Sequence, residues 1–230
     1  MNRRHFIKLT GTILLPALPA CTTTQTAERP QPALPVSARS YGAMPAEKFP
    51  LPAIEVAKID PRFLRQTVRY RTAEMPGTVI VDPEWKFLFL VMANNQAMRY
   101  GVGVGRAGFA WAGRAYVGWK RPWPTWTPPA SMIARQPELE KYRDGMAPGL
   151  DNPLGARAVY IFQDGRDTLY RFHGTNEPGS IGNAVSSGCI RLFNQDAIDL
   201  YNRVQTGAPV IVLGEPRPHY DSPFDQGVTG

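Results

Sequence analysis

The sequence predicts a mainly β fold, an antiparallel sandwich or barrel with a few short peripheral helices. Three observations carry that expectation. Short β-branched or aromatic runs recur along the chain and are closed by Gly, Pro, Asn or Asp. Pro at 23 and Gly at 21 of 230 residues leave little room for long regular helices. No strand-helix-strand alternation is visible, and no internal repeat.

Taken in order, the chain opens MNRRHFIKLTGTILLPALPAC, with Arg3, Arg4 and Lys8 ahead of an apolar stretch from Leu9 to Leu18 and no acid before Cys21. This is the layout of an export signal over residues 1–20, too short and too Pro-broken to span a bilayer. Arg3-Arg4 followed by His5, Phe6, Ile7 and Lys8 resembles the twin-arginine export motif. Leu18-Pro19-Ala20-Cys21 resembles a bacterial lipobox, which implies cleavage before Cys21 and lipidation of its thiol; the competing reading is simple cleavage near Ala20. With Thr22 next, the lipobox reading implies an exported, periplasmic protein tethered to the outer membrane by its lipid alone. Residues 21–52 are polar and Pro-punctuated without a period of 2 or 3.6, and are expected to be a linker reaching tens of ångströms at about 3 Å per residue.

An N-terminal extension, 53–75, is expected to pack on the domain that follows at 76–214, with 215–230 as a tail containing a solvated His219. Strands are expected at 78–82, 86–92, 97–104, 114–119, 157–162, 168–173 and 209–213. Asp82 to Trp85 and the QDGRD segment at 163–167 read as turns, the latter a hairpin in which Gly165 takes a positive φ. A helix over Ala130 to Tyr142 is expected to break at Pro137. A second, Asn194 to Val204, has Ala197, Ile198, Tyr201 and Val204 on one face.

Composition removes several functions. The formal charge is +7, and setting aside the three leader cations Arg3, Arg4 and Lys8 leaves +4, with no run of five Lys or Arg, so no nucleic-acid footprint is present. Two Cys (21 and 189) and three His (5, 173 and 219) cannot form the short-spaced clusters of a structural zinc site, and no metal or cofactor is expected.

The chemistry is concentrated in FHGTNEPGSIGNAVSSGCIRL, residues 172–192, which holds the one His and one Cys of the expected core domain. A thiol with an ordinary pKa near 8.5 needs a base or a stabilised anion to act as a nucleophile, and an imidazole can take and return its proton. A glycine beside the nucleophile lets backbone N–H groups approach a developing oxyanion. Cys189 and His173 alone are also compatible with a buried thiol and a hydrogen-bonded histidine.

The surrounding residues resemble the active-site motif of the L,D-transpeptidase catalytic domain family, the YkuD type. His173-Gly174, Ser186, Gly188-Cys189, Ile190 and Arg191 stand where that pattern has them. Segments 76–82, 99–106 (read as a hairpin), 152–162 and the closing PVIVL extend the likeness over about residues 76–214. The resemblance implies an L,D-transpeptidase-like β-sandwich or barrel, with Cys189 as nucleophile and His173 as general acid/base. It further implies that the Gly174 carbonyl orients His173, and that amides around Ser187, Gly188 and Cys189 form the oxyanion hole. Arg191 is expected either to contact a substrate carboxylate or to brace the loop, and Ser186 either to support the loop or to face solvent. The implied substrates are peptidoglycan stem peptides: a thioester forms at the L-centre of a tetrapeptide and passes to an amine, giving a 3,3 cross-link, a lipoprotein linkage or D-amino acid exchange. Acylation by carbapenems and a monomeric state are implied too. A cysteine hydrolase on the same scaffold and a non-catalytic peptidoglycan-binding lipoprotein are the alternatives. Trp111, Trp119, Trp123 and Trp126 are read as a groove wall or as packing, and Asn152 as a turn former before Pro153.

Overall fold

In the computed structural model, residues 38–105, 111–186 and 189–214 are described, all within one compact unit, Pro32–Gly230. The strands are β1 (Gln66–Arg69), β2 (Val79–Asp82), β3 (Phe87–Met92), β4 (Gln96–Gly101), β5 (Val104–Gly105), β6 (Gly113–Pro122), β7 (Arg157–Gln163), β8 (Arg166–His173), β9 (Ala184–Ser186), β10 (Ile190–Arg191) and β11 (Pro209–Val212). The α-helices are α1 (Ala130–Arg135) and α2 (Asn194–Arg203). As Pro137 requires, the helix of that region stops at Arg135 and restarts as a 3-10 turn, Pro137–Tyr142. At QDGRD, Asp164 (φ 50°) and Gly165 (φ 76°) both adopt the left-handed backbone of a two-residue hairpin turn.

Nine strands form one sheet in the order β1-β4-β3-β2-β11-β6-β7-β8-β10, and β5 pairs with β9 in a second. The sheet is mixed, because β11 runs parallel to β2 and β10 parallel to β8, and the β5/β9 pair is parallel as well. A purely antiparallel arrangement would not accommodate the two long returns, through α2 and through the loop after His173, that bring the chain back in its original direction. For the same reason the 99–106 segment is not a hairpin: β4 pairs with β1 and β3, whereas β5 leaves to join β9.

Side chains alternate between two cores. Val79, Val81, Leu88, Leu90, Val159, Ile161, Phe172 and Ile190 face Ala197 and Leu200 of α2 and Val204 just after it. Ile80, Phe87, Phe89 and Val91 face Tyr41, Phe63, Tyr70 and Phe193 on the other side. Burial on both faces explains why β3 reads FLFLVM rather than alternating with polar residues. Ile198 departs from its expected face and joins Leu51, Trp123 and Ala156 in a third cluster.

The linker expectation fails over its last part. Tyr41 and Leu51 are buried, and Met44 and Phe49 pack against the third cluster, because four apolar side chains in a Pro-rich stretch find a hydrophobic surface to cover. The earlier residues, 1–37, with the export motif and Cys21, lie outside the described residues, as do 106–110, 187–188 and 215–230.

Candidate active site

His173 ends β8, where it pairs with Ala158 of β7 on one side and with Arg191 of β10 on the other. Its neighbour Phe172 points into the α2 core, so His173 and Arg171 occupy the opposite face. The ring is buried and its Nδ1 lies 2.5 Å from the carbonyl oxygen of Gly174. A carbonyl only accepts, so Nδ1 carries the proton and Nε2 is the basic nitrogen of the neutral ring. Burial holds the imidazole down to about 4, against the carbonyls of Gly174 and Pro153, which favour the protonated ring, and helped by the Arg191 and Arg171 charges. At neutral pH the ring is therefore an uncharged base.

Several contacts fix that geometry. The Gly174 N–H donates to Arg157 O at 3.0 Å, and the Leu192 N–H to His173 O at 2.8 Å. Asn194, at the start of α2, spans the two flanking segments: its Oδ1 accepts from Ala156 N and its Nδ2 donates to Thr175 O, both at 2.9 Å. Gly174 is required by this clamp, because a Cβ there would lie 2.1 Å from Asn194 Oδ1. Asn152 is fully buried and donates to the carbonyls of Pro124, Met146 and Ala147, while its own Oδ1 accepts from Leu154 N, so it ties a long loop to the turn that carries Pro153.

Cys189 immediately precedes Ile190, the register partner of Phe172, and so lies beside Arg171 on the face that carries His173. Its half-buried Sγ makes a long contact of 3.8 Å with the Leu169 carbonyl oxygen. Burial pushes the thiol up, opposed by the Arg171 charge and hydrogen bonds and by the Arg191 charge. The same two guanidiniums thus act on both the sulfur and the imidazole, which places the pair in one electrostatic neighbourhood and leaves it neutral at rest.

Arg191 donates from Nη1 to Glu177 Oε2 at 2.6 Å, a brace across the excursion between His173 and Cys189, and its backbone exchanges hydrogen bonds with Gly103. Ser186 closes β9, while Ser187 and Gly188 lie outside the described residues. The tryptophans divide. Trp123 is buried and donates from Nε1 to Glu47, Trp126 meets Tyr142, and Trp111 stacks on Tyr170. Trp119 is exposed and stacked on Tyr160, at 3.8 Å between ring centres. Among the described residues, no group of three or more His, Cys, Asp or Glu could hold a metal ion.

Arg171, Asn194 and Pro153 went unnoticed in the sequence as parts of this site. Arg171 and Pro153 act through strand register and a turn carbonyl, which no spacing in the sequence signals. Asn194 had a legible sign, a polar residue opening a helix, but it points at Ala156 and Thr175 and leaves the helix N-terminus to Phe193.

With this geometry in hand, similarity to known proteins can be weighed. The profile of the L,D-transpeptidase catalytic domain, YkuD, matches residues 76–212. The Escherichia coli K12 protein named "Probable L,D-transpeptidase YbiS" is 36% identical over 145 residues, covering 61% of this chain and 45% of that protein. "Probable L,D-transpeptidase YcfS" of the same strain is 34% identical over 148 residues, 63% of this chain and 46% of the other. The chain therefore spans less than half the length of the curated relatives it matches. A solved structure from Brucella melitensis, described as a "Probable carnitine operon oxidoreductase caia", is 44% identical and covers 69% of this chain and 99% of its own, with a TM-score of 0.48. Its description names a different activity, and at that TM-score the overlay carries no part of the functional reading.

Proposed function

We propose, starting from a chain that belongs to the YkuD family of L,D-transpeptidase catalytic domains, that it transfers peptidoglycan stem peptides through a thioester on Cys189. The observation that carries the reading is the buried, uncharged His173, with Nδ1 engaged by the Gly174 carbonyl, on the face where Cys189 stands beside Arg171.

In this reading Sγ attacks the carbonyl of the L-centre at position three of a donor tetrapeptide while Nε2 of His173 takes the thiol proton. The S–C bond forms, the C–N bond to the terminal D-amino acid breaks, and the leaving amine receives the proton from the imidazolium. An acceptor amine then attacks the thioester, surrenders a proton to Nε2, and the thiol is restored. Gly174 orients the imidazole, the amides around Ser187, Gly188 and Cys189 receive the oxyanion, and Arg191 braces the intervening loop through Glu177. A neutral resting pair suits such a step, since charge separates only as the acyl carbonyl is attacked, where oriented donors count most.

The test is a defined disaccharide tetrapeptide, with and without an amine acceptor, followed by mass spectrometry. The unmodified chain should show a thioester adduct, release the terminal D-amino acid and yield cross-linked product. Cys189→Ala should lose all three while folding normally. Product formation by Cys189→Ala overturns the reading, and efficient turnover without any amine reassigns the chain as a hydrolase. Export and the lipid anchor belong to the same proposal: palmitate labelling in cells should disappear in Cys21→Ala, and its persistence would overturn the assignment of Cys21 as the lipidated residue.

A further inference from the structure

We infer that Arg171 is a positioning residue for the nucleophile, its guanidinium held by the Tyr160 ring and the Leu169 carbonyl beside the Cys189 sulfur. The inference rests on reading Cys189 as the nucleophile.

The argument begins with a row of side chains across the sheet. Trp119 of β6 pairs with Tyr160 of β7, Tyr160 pairs with Arg171 of β8, and Cys189 stands beside Arg171 at the start of β10. All four lie on the face that carries His173. The Arg171 guanidinium sits over the Tyr160 ring, 4.7 Å from its centre, and Tyr160 is backed by the stacked Trp119. A planar cation resting on an aromatic face loses little further freedom when it takes up a hydrogen bond.

A distorted turn of backbone supplies the second half. Leu169 is a non-glycine residue with φ of 64°, next to a register irregularity between β7 and β8. Its N–H is taken by Asp167 Oδ1 at 2.8 Å, and its carbonyl is turned to face both Arg171 and Cys189. Arg171 Nη1 donates to this oxygen at 2.9 Å, and Sγ lies 3.8 Å from it. One carbonyl therefore gathers the guanidinium and the sulfur at the same point. Leu169 is itself 69% exposed, so hydrophobic burial does not account for its conformation. The arrangement serves the residues around its carbonyl.

The remaining charges near the sulfur, among the described residues, are partly spoken for. On β8, Asp167 lies 3.5 Å from Arg171 Nη2, and His173 is uncharged at neutral pH. On β10, Arg191 is paired with Glu177. Arg171, beside Cys189 in the register, favours the thiolate against burial. A cation within reach of a half-buried thiol lowers the cost of the anion by roughly one to three pH units in the midpoint of its titration.

The experiment measures the rate of Cys189 alkylation by iodoacetamide against pH. An S–C bond forms, the C–I bond breaks, iodide leaves and the thiol proton passes to buffer, so no peptide substrate is involved and failure here is separable from failure of the transpeptidase reading. Arg171→Gln should move the midpoint up and slow alkylation at pH 7 by about tenfold, and Arg171→Lys should recover part of that rate. Tyr160→Leu, which removes the ring under the guanidinium, should move the midpoint in the same direction by less, and it tests the idea even if Arg171→Gln is too unstable to use. Arg121→Gln, whose guanidinium lies over Trp119, should leave the profile unchanged. An unshifted profile in Arg171→Gln, or an equal shift in Arg121→Gln, overturns the inference.

Discussion

At the scale of single residues, the site depends on backbone placed where side chains leave no slack. Gly174 supplies the carbonyl that holds His173 Nδ1, and its missing Cβ admits Asn194. Gly174→Ala should therefore fold with a displaced loop and lose at least an order of magnitude in kcat/KM, measured with the tetrapeptide donor. Asn194→Ala removes two part-buried hydrogen bonds at once and strands Ala156 N and Thr175 O, which should lower unfolding free energy by roughly 2 kcal/mol in urea titrations. If Gly174→Ala retained full activity, the close approach would have no functional weight. His173 and Cys189 were legible in the sequence as candidates, from a thiol and an imidazole flanking a Gly-rich excursion and from the resemblance of the residues around them. The neutrality of the imidazole was not, since it follows from burial and from the Arg191 and Arg171 charges, which together outweigh the carbonyls of Gly174 and Pro153.

At the scale of elements, the segment ahead of β1 acts as a strap over the far side of α2. Tyr41 Oη donates to Asp196 and accepts from Arg65 N, and Gln195 Nε2 donates to the carbonyls of Gly42 and Pro52. Glu47 accepts from Trp123 and Arg157, and the Arg157 interaction holds its carboxyl below the usual range. The strap thus grips the first turn of α2, whose opening residue Asn194 clamps the His173 loop. Deleting residues 1–52 should lower the melting temperature by several degrees and reduce hydrogen-exchange protection in 194–203 ahead of the central strands. Unchanged protection there would show that α2 needs no strap. Most strands of the domain were readable as short apolar runs with turn residues between them. The brief β1, β9 and β10 were not, because their pairing comes from tertiary partners and their own sequences carry little periodicity.

At the scale of the whole molecule, two buried groups tilt stability against pH in opposite senses. His173 takes up a proton near 6.5 when unfolded but only near 4 when folded, so its contribution is lost as pH falls through that window. Asp196, pushed by burial from 3.8 to about 7 despite the Arg65 charge and the Tyr41 hydrogen bond, keeps its proton longer in the folded state, so its contribution is lost as pH rises from about 4 to 7. Between about pH 4.5 and 6 the two slopes oppose each other. Relative to the parent, His173→Gln should gain melting temperature as pH falls, and Asp196→Asn should gain it as pH rises. Calorimetric scans in steps of half a pH unit would read both, and curves parallel to the parent at every pH would dismiss both assignments.

The sequence by itself determined the β-rich class, the presence of the family domain and the two side chains proposed to react, because short-range patterning and residue chemistry are local properties of the chain. The tertiary structure decided which groups surround them. The parallel return that sets Cys189 beside Arg171, the two-sided burial of the sheet under a segment that reads as linker, and the charge state of His173 all arise from contacts between distant residues. Their energies depend on desolvation and register, which a linear pattern does not encode.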